Sequence, residues 1–157
     1  MVRKINQFKA LQKIHTAMLL GMVIFCLVSA VVHLPKKLAN DVFLNKALQV
    51  AVLAVTFVLI KLGTSLFEKK LNAIPAGATA ADKMAVYKLA AVLKWIMIEG
   101  PVLFAVVSFM ITRNYAFIVL AFALIIFFAF QGPGKIKMML QLQLSDKEAK
   151  ELEGVSE

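Results

Sequence analysis

Four long apolar windows, at 16–34, 47–67, 89–112 and 115–130, leave this chain few folds to choose from. Each approaches the length an α-helix needs to cross a hydrocarbon core of roughly 30 Å, and a backbone in lipid must satisfy its own hydrogen bonds. With 61% hydrophobic and 17% charged residues, the composition lies far from that of soluble domains. The sequence therefore predicts an all-α, polytopic bundle of four transmembrane helices. Residues 1–137 form the transmembrane domain and 138–157 a charged, amphipathic tail. The fourth window is the shortest and reaches full thickness only with Asn114 and Gln131 at the two interfaces.

The net charge of +9 does not point to nucleic acid, because the basic residues are sorted by segment. Arg3, Lys4, Lys9 and Lys13 precede the first window; Lys69, Lys70, Lys83 and Lys88 lie between the second and third; Lys135, Lys137, Lys147 and Lys150 follow the fourth. The opposite side carries Lys36, Lys37, Lys46 and Arg113. The positive-inside rule then puts both termini in the cytoplasm and the chain in a cytoplasmic (inner) membrane. "RKINQFK" and the "VSA" ending at Ala30 imitate a signal peptide, but the apolar run is long for one, so the segment reads as a retained span. Cys26 is the only cysteine, which excludes an internal disulfide.

Sliding the chain on itself so that Gly21 falls on Gly100 also superposes Lys4 on Lys83, Lys9 on Lys88, Met18 on Met97, Phe25 on Phe104 and Ser29 on Ser108. A neighbouring register brings "VLA" at 52–54 onto "VLA" at 119–121. The expectation is two repeated helical hairpins in parallel, with Gly21, Ser29, Gly100 and Ser108 as the small-residue seam between the first and third helices. Shared apolar composition in lipid-facing helices is the competing explanation. Thr79 with Asp82, and Ser145 with Glu148, have capping-box spacing and predict helix starts. Ile5, Phe8, Leu11 and Ile14 carry the first helix back before its window. "LNAIPAGATA" reads as a linker and "GPG" at 132–134 as the stop of the fourth helix, after which Ile136, Met139, Leu140 and Leu144 suit a membrane surface.

Within "KWIMIEGPVLF", Glu99 lies on the order of 15 Å inside its apolar window. An ionisable group at such a depth is costly and marks a candidate site. Lys61 in the second helix falls at a comparable depth and is the expected partner. Lys94, five residues from Glu99, is on a different face and snorkels toward the interface. Pro101 frees a backbone carbonyl beside Glu99. Two readings stand: Glu99 and Lys61 as an internal polar tie that fixes packing, or Glu99 as a proton or cation carrier. His15 and His33 are about 27 Å apart along one helix and cannot share a metal, so both read as interface residues. Trp95, Tyr87 and Tyr115 suit interfacial anchoring. The sequence contains no nucleophile triad, metal-ligand cluster or phosphate loop, and implies no cofactor and no enzyme.

"LQKIHTAMLLGMVIF", "IMIEGPVLFAVVSFMITRN" and the "GPGK" exit together resemble a family of small, uncharacterised bacterial four-helix membrane proteins, which implies the fold and the membrane but no activity. "IEGPVLFAVVSFMI" is similar over one helix to the carboxylate-bearing segment of proteolipid subunit c of rotary ATPases, a likeness that implies an ion-carrying role for Glu99. That family packs through a glycine-rich helix, whereas the spans here hold only Gly21, Gly63 and Gly100. Its duplicated form carries the carboxylate in the fourth helix, and Glu99 is in the third. The functional expectation is a non-enzymatic protein acting through helix association, with the lipid bilayer and a second copy or another membrane protein as partners. The alternative is a small oligomeric proton- or cation-coupled transporter using Glu99.

Overall fold

The structure, a computed structural model, describes residues 6–32, 42–75 and 77–153. Arg3, Lys4, Ile5, His33, Lys36 and Lys37 lie outside the described residues. The described residues form helices only: α1 (Gln7–Val32), α2 (Val42–Asn72), α3 (Ala80–Thr112), α4 (Tyr115–Phe130), α5 (Lys135–Leu142) and α6 (Asp146–Glu153). The first three are long and apolar enough to cross a membrane. α4 and α5 make a fourth candidate span if counted together across the 66° bend between them.

The helix ends follow local chemistry. Asn6 Oδ1 accepts from the Lys9 amide at 3.0 Å and starts α1 early. Thr79 Oγ1 accepts from the Asp82 amide at 3.2 Å and donates to the Asp82 carboxylate at 2.7 Å, so the expected cap of α3 is formed. At the other end Arg113 turns left-handed (φ 58°) and its amide closes on the Phe109 carbonyl at 2.7 Å. Asn114 then caps α4 by accepting from the Ala116 amide at 3.0 Å. α3 continues through Pro101, whose ring is buried.

α3 is the central helix: α2 packs on one side of it, α1 and α4 on the other, and α1 also packs on α4. Only 17% of the apolar window of α2 is buried, against 44% for α3, so α2 is a peripheral helix held along one edge. Phe109, Phe117, Phe128, Met22, Ile98 and Val102 fill the core between α1, α3 and α4. The symmetric pair of hairpins expected from the repeat is not seen. α3 and α4 form a tight hairpin across Arg113 and Asn114, but the main partners of α1 are α3 and α4 rather than α2. The two-residue turn forces α3 and α4 together, and the longer connection from α1 to α2 imposes no such constraint.

The seam also differs from expectation. Gly21 is exposed, and a Cβ built on it meets nothing within 4 Å; Gly100 faces Leu59 of α2. Ser29 and Ser108 are buried, Ser29 donating to Met110 Sδ at 3.9 Å and Ser108 to its own helix at the Phe104 carbonyl. The close backbone approach is instead at Gly63 of α2, where a Cβ would stand 2.9 Å from Met97 Cβ and 3.5 Å from Lys94 Cα. A helix that is apolar all round carries no marker of its contact face, so sequence spacing alone selected the wrong glycines.

α6 returns to the bundle and packs on α1 and α3. The Ser145 amide and hydroxyl donate to Glu148 Oε2 at 2.7 and 2.9 Å, the Glu148 amide donates to Ser145 Oγ at 3.3 Å, and Lys83 reaches Glu148 Oε1 at 3.5 Å. The Ser145 amide and hydroxyl, with Lys83 adding less, hold this carboxyl below its ordinary value of 4.5. A depressed carboxyl stabilises the docked helix above pH 4.5 and loses that contribution as the pH falls through the folded value. The protection factors of α6 amides, measured against the intrinsic exchange rate at each pH, are expected to fall on acidification below about pH 4.5, and Glu148→Gln to flatten that dependence while α3 stays protected.

Candidate functional site

The end of the bundle where α2 stops and α3 starts is rich in lysine, and about two turns inside it the helices are tied by an aromatic and amide lattice. His15 of α1 stacks flat on Phe128 of α4, centroids 4.6 Å apart and planes within 2°, and meets Trp95 of α3 edge-on at 4.8 Å. Its Nε2 donates to the Phe128 carbonyl at 3.1 Å. The Trp95 indole donates to the Gln131 carbonyl at 3.3 Å. One histidine thus joins three helices, a tertiary role that its isolated position in the sequence did not disclose.

The Gly132–Gly134 turn closes over this lattice. A Cβ on Gly132 would stand 3.3 Å from His15 Cε1, and Gln12 Nε2 donates to the Pro133 carbonyl at 3.4 Å. Lys94 is half-buried; its ammonium donates to Gln131 Oε1 at 3.0 Å and lies 5.3 Å from the centre of the Phe67 ring. Phe67 meets Tyr87 edge-on at 5.5 Å, and the Tyr87 hydroxyl donates to Gln141 Oε1 at 3.1 Å. A small polar cavity between these groups is lined also by Trp95 and Lys137. It adjoins a cleft of 450 Å³ between the end of α2 and α5, which shares Phe67 and Gln141 with it and includes Glu68 and Lys83. α5 keeps Met138 and Leu142 inward and exposes Ile136 and Leu140, as a helix lying at a membrane surface would.

Glu99 and Lys61 share a level but not a side. Gly63 abuts Met97 and Gly100 abuts Leu59, so the antiparallel α2 and α3 bring positions 61 and 99 to the same depth, as expected from residue counts. Lys61 is two residues from Gly63, or about 200° around α2, and so points away from α3. It is exposed, with its ammonium 5.9 Å from the Phe57 ring centre. Glu99 is about 200° from Met97 and lies on the α1 flank of α3, where Ser29 meets Met110 and His15 meets Trp95. The expected internal Lys61–Glu99 tie is therefore not formed. Lys83 pairs with Glu148, and among the described residues Glu99 is half-buried without a hydrogen-bond or ionic partner.

Lys94 is oriented by Gln131 rather than by Glu99, and Pro101 is packed in the core rather than opened toward a cavity. No group of three or more metal-ligating side chains occurs among the described residues. Comparison with known proteins returned no relative: no family model, curated protein or solved structure matches this chain.

Proposed function

We propose that this chain is a non-enzymatic membrane protein that acts by helix association, and that the surface it recognises is on a second copy of itself. The observation that carries the proposal is the pair of unpartnered opposite charges, Lys61 and Glu99, at one depth on opposite flanks of the bundle. Phe43, Val50, Phe57 and Lys61 make an outward stripe along α2. Ile96, Leu103 and Val107 leave an open strip on α3 between α1 and α2, with Glu99 on its α1 edge. A lysine facing lipid near the middle of a span costs about 3 kcal/mol, and burial against a carboxylate of a neighbouring copy removes that cost. The two surfaces differ, so the contact is head-to-tail, the type that builds a ring where its rotation closes and an open chain where it does not.

The same proposal places both termini in the cytoplasm, supported by the lysines that crowd one end of the bundle. The resemblance to small bacterial four-helix membrane proteins supports an inner-membrane location. Donor- and acceptor-labelled chains diluted in liposomes test association by energy transfer. Wild type is expected to associate, and Lys61→Gln and Glu99→Gln each to weaken it about tenfold at an unchanged melting temperature. Concentration-independent, background transfer in wild type overturns the proposal. Proton uptake that Glu99→Gln abolishes without altering association would favour the carrier instead.

A further inference from the structure

A second pair of charges has a different requirement. Lys94 and Lys137 both line the small cavity beside Trp95, and Glu68 lines the cleft that adjoins it. Lys94 has one neutral acceptor, Gln131 Oε1, and Lys137 has no acceptor among the described residues. Two ammonium-bearing side chains at one small cavity, with amide and phenol groups around them, are a donor set that suits an anion. The cavity lies at the lysine-rich end of the bundle, where α4 bends into α5. The bundle has apolar surface on one side of that level and a lysine-rich end on the other.

We infer that Lys94 and Lys137 bind the phosphate of an anionic phospholipid headgroup, with the Tyr87 hydroxyl and the Gln131 and Gln141 amides as its neutral surround. Lys94 supplies the fixed charge, because Gln131 and Phe67 hold its ammonium in place. Lys137, exposed on α5, supplies the charge that closes over the headgroup. The site is separate from the Lys61 and Glu99 surfaces and does not depend on self-association.

Trp95 is the only tryptophan and lies in the cavity wall, so its fluorescence reports the site directly. The full chain is reconstituted in phosphatidylcholine, and brominated phosphatidylglycerol or brominated phosphatidylcholine is titrated in as quencher. The anionic lipid is expected to quench at several-fold lower mole fraction. Lys137→Gln reduces that preference about fivefold, and Lys94→Gln combined with it removes the preference. Lys147→Gln, an exposed lysine on α6, leaves it unchanged. Equal quenching by the two lipids overturns the inference, as does an equal loss in Lys147→Gln, which would mean general attraction to a charged surface. Displacement of the brominated anionic lipid by millimolar inorganic phosphate would assign the cradle to a free anion and overturn the lipid assignment. Lys137→Gln keeps the test decisive if the Lys94 variant fails to fold, because Lys137 is exposed on α5.

Discussion

Gly63→Leu is expected to detach α2 from the bundle while leaving the α1–α3–α4 core assembled. The Cβ alone would stand 2.9 Å from Met97 Cβ, the side-chain carbon fixed directly to the backbone rather than a yielding side-chain tip. α2 has no second extensive contact through which to compensate, since its packing is with α3. Overpacking of this kind costs about 1–3 kcal/mol for small additions, and the four-carbon side chain lies at or beyond the upper end. Spin labels at exposed Leu62 and Ile96 are expected to show a broadened, longer distance in the variant. A label pair on α1 and α4 stays at its wild-type distance. Gly63→Ala is the graded control, with a smaller loss of stability. Wild-type distances and stability in both variants would place the α2–α3 contact elsewhere.

The second large effect belongs to the aromatic lattice. Phe128 is fully buried, stacks on His15 and approaches Trp95 at 6.4 Å. Phe128→Ala removes the ring from between them and is expected to lower stability by about 3–5 kcal/mol. His15→Phe separates packing from hydrogen bonding, because it keeps a stacked ring and removes the donor to the Phe128 carbonyl. That carbonyl also accepts from the Gln131 amide at 2.9 Å, so the expected cost is only about 1 kcal/mol. Unfolding by a denaturing detergent measures both. Similar losses in the two variants would mean that the hydrogen bond, not the stack, holds the three helices together.

These two sites show what local sequence reveals in such a chain. Depth along a helix can be counted, so the common level of Lys61 and Glu99 follows from residue number and rise per residue. Caps are local contacts, so Thr79 with Asp82 and Ser145 with Glu148 were legible from spacing. Rotation about the helix axis was not legible. In a soluble helix the polar face identifies the buried one, but α2 is apolar on both the face that meets Met97 and the face that carries Phe57. Lys61 was therefore assigned to the correct depth and the wrong side. His15 was legible only as an interfacial residue, because its partners come from two other helices, α3 and α4. Gln131, directly after α4, reads from the sequence only as an interface residue, although its side-chain amide and backbone carbonyl hold Lys94 and Trp95.

Self-association through Lys61 and Glu99 predicts a defined response to exchanging the two charges. Lys61→Glu places two carboxylates at the proposed contact, and Glu99→Lys places two ammonium groups there, so each variant alone is expected to remain dispersed in liposomes. Mixed together, the Glu at 61 of one chain meets the Lys at 99 of the other, and Lys61 of the second meets Glu99 of the first. Energy transfer between the two differently labelled variants is therefore expected to return to about the wild-type level, with each variant still dispersed by itself. Equal transfer in wild type, in each variant and in the mixture would contradict the account and leave the two charges facing lipid.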